Sequence, residues 1–318
     1  MTFARKMPVD RDEAHSAEKP PATLVIGRSY DGRQLPFALD RPFDLLGGDR
    51  LGPDDVAASL PFDWIDGMAA TVAEACRRQV ASDRCWFQLP PTALVGKPGV
   101  GRTHVARQLA RAAGVPFVRF DVSELTLGHR CRAPDTPRLA APILAMAAAN
   151  CANPIVLVEG VDGSSPDACA LLSTMIDRQT SRRWMCESLG AAFDVSCVSW
   201  LVATGDMEAL HPSLHGRLDI LPIEISSVPD DRSVRALGIL LEAMADLDID
   251  AGAVSHAMAP MITHAGWSAL ADHSAAAIYR AASDFLRNAV DDGARPDRPR
   301  VEDDARVQFH HRGEYHER

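Results

Sequence analysis

A chain of 318 residues with 33 Lys and Arg against 43 Asp and Glu, a formal net charge of -10, is long enough for one large domain or two modest ones. The acidic balance argues against a general binder of nucleic acid or of anionic membranes. Seven scattered cysteines without a C-x-x-C pair, and a beginning MTFARKMPVDRDEAH without an apolar stretch, point to a reduced, cytoplasmic protein lacking a signal peptide. The longest uncharged run, Leu139 to Val158, has the length of a membrane span, but Pro142, Asn150, Asn153 and Pro154 interrupt it. A helix followed by a buried strand is the better reading.

Taken in chain order, residues 1–60 are rich in Pro, Gly and charge without sustained periodicity, which predicts a loosely ordered arm. A helix is expected from Asp66 to Val80, with Met68, Val72, Ala75 and Cys76 on one face. The apolar run Thr92 to Val95 ends at the glycine loop GKPGVGRT, Gly96 to Thr103. Val105, Leu109 and Ala112 or Ala113 then recur at helical spacing until Gly114 and Pro116 stop the helix. Phe117 to Phe120 reads as a strand and Arg138 to Asn150 as a helix. Pro154 to Val158 is an uninterrupted apolar strand of the kind buried on both faces of a parallel sheet. Ser165-Pro166 caps and opens a helix through about Arg178, and Val198 to Ala203 and Ile220 to Ile225 are further strands. Strands alternating with helices predict an α/β fold with a largely parallel sheet.

After about Ser227 the pattern turns helical. Asp230 or Asp231 caps a helix carrying Val234, Leu237, Leu241 and Met244, a second helix covers Ala251 to Met261, and a third runs from Trp267 to Val290 with Leu270, Ile278 and Phe285 inward. The expected organisation is an arm over 1–60, a nucleotide-binding α/β domain over 61–227, a small helical lid over 228–290, and a disordered charged tail over 291–318.

The loop fits the phosphate-loop pattern G-x-x-x-x-G-K-[ST] except that Arg102 stands where lysine belongs. A strand before it and a helix after it supply the needed context. Glycines let backbone N–H groups turn toward a phosphate chain, and the helix N-terminus adds its dipole. Candidate nucleotide contacts are Gly96, Lys97, Pro98, Gly99, Val100, Gly101, Arg102, Thr103 and His104, with the Thr103 hydroxyl placed for Mg²⁺. Guanidinium keeps the charge of lysine but is planar and bulkier, so weakened rather than abolished nucleotide binding is expected.

Two further segments, NPIVLVEGVDGSSPDACALL (Asn153 to Leu172) and AAFDVSCVSWLVATGDMEALHPSLHGRLDIL (Ala191 to Leu221), follow the loop in order. With them the chain, from about Asp66 to Val290, resembles an AAA+ ATPase, and in detail the ATPase module of Lon-type proteases. Nothing resembling the protease domain follows, so peptide-bond hydrolysis is not implied. The resemblance implies a P-loop NTPase sheet with a helical lid, binding ATP or ADP with Mg²⁺ through Thr103 and Glu159.

It places Glu159 at the metal-binding Walker B aspartate and Gly160 at the catalytic glutamate. The other register makes Glu159 the catalytic residue and puts Val158 at the metal position. Either way one acidic role is missing, and loss of a general base costs about 10²–10⁴ in rate. Asp206 falls at sensor 1, usually asparagine, where an ionised carboxylate faces phosphate of its own sign. Ser268, in His264 to Ser268, replaces the sensor-2 arginine. Arg217 matches the arginine finger, which acts on a neighbouring subunit's nucleotide and implies a homo-oligomeric ring. The pore-loop segment, Ser123 to Pro137, is short and carries no aromatic residue, which weakens the case for threading unfolded protein.

Other constellations read blandly. None of the eleven histidines sits in ligand spacing, and Cys169, Cys186 and Cys197 are core or interface fillers. The expected function is a nucleotide-binding module that couples nucleotide state to conformational change on a protein partner, with hydrolysis slow or lost. The alternative is an active, divergent ATPase that remodels proteins. A small-molecule P-loop kinase would lack the finger segment and the lid.

Overall fold

A computed structural model describes residues 22–130 (31, 33, 53, 54, 61–64 and 66 apart), 140–186, 189–224, 229–247, 249 and 273–292. The first departure from expectation is in the N-terminal region. Instead of a loosely ordered arm, it carries β1 (Thr23–Val25), β2 (Gly27–Ser29) and β3 (Pro42–Asp44). β1 and β3 pair antiparallel, with Leu24 opposite Phe43. Ile26, Leu39 and Phe43 are buried in the largest of the three apolar clusters among the described residues. Strands of three residues are too short for an alternation to register, and their partners lie far along the chain, so local sequence carries no signal for them.

Beyond α1 (Asp55–Ala58) and α2 (Met68–Ala81), the alternation runs as anticipated. β4 (Thr92–Val95) leads through the glycine loop into α3 (Arg102–Ala113), which ends at Gly114. β5 (Phe117–Asp121) is followed by α4 (Ser123–Arg130) and α5 (Ala141–Ala149). The segment read as a short pore loop therefore begins as a helix. Its cap explains why: Asp121 Oδ1 accepts from Ser123 N at 2.9 Å, and Glu124 Oε1 accepts from Asp121 N at 3.1 Å, the two directions of a capping box. β6 (Ile155–Glu159) precedes α6 (Pro166–Ile176), whose first turn is capped by Ser165 Oγ accepting from Ala168 N. β7 (Trp184–Cys186) and β8 (Ala191–Phe193) form, with β2, a small antiparallel sheet that the sequence did not announce. β9 (Ser199–Thr204) and β10 (Asp219–Pro222) complete the main sheet.

That sheet is parallel, in the spatial order β10-β4-β9-β6-β5. The inner strands β4, β6 and β9 are buried on both faces, as their continuous apolar runs require, whereas the edge strands β5 and β10 are partly exposed. Alternation then sorts the side chains. Ile155 and Leu157 join Val105 and Leu109 of α3, whereas Val156 and Val158 join Trp200 and Leu172 on the other face. In the β5–β6 register Asp121 stands opposite Glu159 and Arg119 opposite Leu157. Arg119, Asp121 and Glu159 thus lie on the α3 face.

α7 (Pro229–Asp246) and α8 (Ala275–Asp292) pack together through Ile239, Leu240 and Ala243 against Ile278, Ala282 and Phe285. The expected helix at 251–261, the 264–268 segment and the tail beyond 292 lie outside the described residues. No described helix is long and apolar enough to cross a membrane.

Candidate functional site

The carboxyl ends of β4, β5, β6 and β9 converge where the glycine loop opens α3, the edge at which open α/β sheets bind ligands. The loop is fastened from below. Gly96 N donates to Thr204 O at 3.0 Å, Val100 N to Lys97 O at 3.3 Å, and Val105 N to Gly101 O at 2.9 Å. Val100 is buried in the α3-side cluster, while Lys97 and Pro98 are exposed. Gly101, at φ 107°, adopts a conformation that only glycine reaches without strain.

Thr103, in the first turn of α3, reaches across to the end of β6. Its Oγ1 donates to Glu159 Oε1 at 2.9 Å, and Arg119 Nε lies 3.7 Å from the other oxygen of that carboxylate. Arg102 sits at the start of α3, and its Nη1 is buried without a hydrogen-bond partner among the described residues. A second guanidinium, unforeseen from the sequence, approaches the loop from α7. Arg235 is 2% exposed, donates through Nη2 to Gly99 O at 3.1 Å and through Nη1 to His273 O at 3.3 Å, and leaves its Nε buried without a hydrogen-bond partner among the described residues. Burial without a counter-charge pushes its pKa down. A buried cation with an unmet donor is costly unless an anion joins it. The pair of guanidinium groups and the loop therefore suit a phosphate chain, with Thr103 and Glu159 as the oxygen ligands for Mg²⁺.

The loop is also tied to the helices above it. Ala275 N donates to Gly99 O at 2.8 Å. His104, a candidate phosphate contact, is instead buried with Nδ1 against Glu242 of α7. Arg107 meets the same carboxylate and also Asp246 at 2.9 Å, with Arg111 3.6 Å from Asp246 and the Tyr279 hydroxyl donating to it at 2.8 Å. Helical spacing in the sequence marked the apolar face of α3 through Val105 and Leu109, but nothing local linked His104 and Arg107 to Glu242 and Asp246.

The strand-end side is arranged differently. Gly160 has φ 72°, and a Cβ built there meets Asp121 Oδ2 at 2.2 Å. Asp206 is exposed and turned into its own loop, its Oδ1 accepting from Glu208 N at 3.1 Å. The carboxylate that receives the end of β9 is Asp162, which accepts from the Thr204 hydroxyl at 2.6 Å and from Gly205 N at 2.7 Å. Arg217 is exposed before β10, with Nη1 on Ser213 O at 2.8 Å and Nε 3.5 Å from Asp177. The Asp177 carboxyl is held below its usual pKa by the Gln179 N–H first, then by Thr180 N–H and Arg217. The structure thus joins Thr103 and Glu159 directly. No described bond brings Asp206 or Arg217 to them.

Comparison with known proteins places this geometry. Residues 92–225 match the profile of the family described as "ATPase family associated with various cellular activities (AAA)". The chain is 34% identical over 177 residues to Lon protease 4 of Sorangium cellulosum, spanning 50% of this chain and 21% of that protein. It is 28% identical over 229 residues to the Lon protease of Halothermothrix orenii, spanning 68% of this chain and 28% of that protein. The chain therefore covers only 21% and 28% of these relatives' length. Among solved structures, a Thermotoga maritima RuvB mutant aligns with TM-score 0.44 and 12% identity over 74% of this chain and 68% of that one.

Proposed function

We propose, for a chain that carries an AAA-family ATPase domain resembling the ATPase module of Lon proteases, that it binds ATP or ADP with Mg²⁺ and passes the nucleotide state to a protein partner. The observation that carries this reading is the Thr103–Glu159 hydrogen bond beside the buried, unpartnered Arg102 N–H. It supports the register in which Glu159 is the metal-side carboxylate and Gly160 occupies the catalytic position. Bound Mg²⁺ neutralises and orients phosphate oxygens. Loop N–H groups other than those of Gly96 and Val100, which bond Thr204 and Lys97, would cradle the phosphates, Arg102 would supply their first cation, and Thr103 and Glu159 would present oxygens to the metal.

The contacts of Gly99 with Arg235 and Ala275 support a transmission route. A phosphate entering the loop repositions Gly99, and α7 and α8 are bonded to its carbonyl. Hydrolysis is slow, because Gly160 has no carboxylate and Asp206 bonds its own turn. The chain works in the cytoplasm as a homo-oligomeric ring, in which Arg217 exchanges Asp177 for a neighbour's nucleotide. Thermal unfolding with and without Mg·ADP tests the binding. At a hundredfold excess over Kd a ligand adds about 2.7 kcal/mol, an upward shift of several degrees. No shift at millimolar Mg·ADP sinks the reading. Light scattering of wild type and Arg217→Ala with Mg·ATP tests the ring.

A further inference from the structure

The carboxylate missing at position 160 has a neighbour standing in its space. Asp121 ends β5, pairs in register with Glu159, and places Oδ2 2.2 Å from the position a Gly160 Cβ would take. The two side chains exclude each other: residue 160 must be glycine for Asp121 to sit there, and its φ of 72° independently favours glycine. Asp121 lies on the α3 face, the same face as Glu159, which bonds Thr103 at the head of the phosphate loop.

Its two oxygens are unequal. Oδ1 accepts from Ser123 N at 2.9 Å and from Ser123 Oγ at 2.6 Å, which fixes the carboxylate plane. Oδ2 makes no hydrogen bond among the described residues, and Asp121 is exposed, so water reaches it. A carboxylate held through one oxygen, with the other open at the strand end beside Glu159, has the form of a general base.

We propose that Asp121 is the catalytic base of this site, carrying on β5 the role that residue 160 at the end of β6 cannot fill. The inference rests on the nucleotide-binding reading given above. In the step, a water oxygen bonds to the γ-phosphorus while the bond from that phosphorus to the β–γ bridging oxygen breaks. Its electron pair leaves with ADP. One water proton passes to Asp121 Oδ2 and from there to solvent, leaving ADP and inorganic phosphate. Aspartate is one methylene shorter than glutamate and tethered to Ser123, so the turnover is slow rather than lost.

The test uses the full chain and Asp121→Asn. Asparagine caps a helix as well as aspartate does, so a purely structural role predicts no loss. Three readouts are taken together: phosphate release, affinity for a fluorescent ATP analogue with Mg²⁺, and thermal unfolding. The expected result is unchanged melting and affinity with phosphate release slowed about 100-fold or more, the usual cost of losing a general base. Asp121→Glu, which keeps the carboxylate, recovers part of the rate. Phosphate release by Asp121→Asn at the wild-type rate overturns the proposal. So does a wild type that binds Mg·ATP yet releases phosphate no faster than Thr103→Ala. Both outcomes leave nucleotide binding standing, whereas failure of wild type to bind Mg·ATP defeats the underlying reading instead.

Discussion

The loop side of the site and the strand-end side have departed from the family pattern in different ways. On the loop side the substitution is Arg102 for lysine, which retains positive charge, and the Thr103–Glu159 contact is in place. That side is also bound to α7 and α8 through Gly99, His104 and Arg107. On the strand-end side residue 160 is a glycine with Asp121 standing where its side chain would be, and Asp206 is satisfied by its own turn. Holding phosphate needs cations and amides already in position, and these tolerate a change of side chain. Cutting it needs one carboxylate at one distance from one water, which a single glycine removes or relocates.

The comparison can be broken at several points. The largest expected effect is on the link between the loop side and α7. Glu242 is 4% exposed between His104 and Arg107, so Glu242→Ala takes the carboxylate from buried His104 and leaves Arg107 with Asp246 as its acidic partner. Urea unfolding should show a loss of about 3 kcal/mol. A loss under about 0.5 kcal/mol, the range of ordinary surface substitutions, removes the claim that the loop side is firmly tied to α7.

Next comes Arg102→Ala, which deletes the first phosphate cation. Fluorescent-nucleotide titration should give affinity weaker by about 10- to 100-fold, the scale of one charged hydrogen bond. Equal affinity of variant and wild type would place the phosphates elsewhere. Arg235→Gln should weaken the same affinity by about tenfold, one charged contact made through an adjusted neighbour, and should speed hydrogen exchange in α7. Unchanged exchange would mean that α7 does not depend on the loop. The smallest effect belongs to Asp206→Asn. Because asparagine also accepts from the Glu208 N–H, nucleotide affinity should move by less than about threefold. A larger gain would show that the Asp206 charge faces the phosphates after all.

Much of the central sheet was legible in the sequence because its signals are local. Thr92 to Val95 and Ile155 to Val158 are continuous apolar runs, Ser165-Pro166 is a helix start, and Gly114 is a helix stop. β1, β2 and β3 were not, since three residues show no period and Phe43 is recognisable as core only when Leu24 lies opposite it. The same division runs through the site. Arg102, Thr103 and Glu159 are readable from a motif and its spacing. Arg235 and Asp121 are not, because their roles arise from register and from packing across the chain. Asp121 did leave one trace, an acid closing an apolar strand beside a strand that ends in Glu159-Gly160.

The central claim, that the loop side binds Mg·nucleotide through Thr103 and Glu159, is tested most directly by calorimetry. Mg·ATP would be titrated into wild type and into Thr103→Ala, each with and without EDTA. The account predicts saturable, metal-dependent binding by wild type and a loss of about tenfold or more in Thr103→Ala, the worth of at least one charge-assisted contact. Absence of wild-type binding at millimolar nucleotide, or equal affinity of the two proteins, would contradict it.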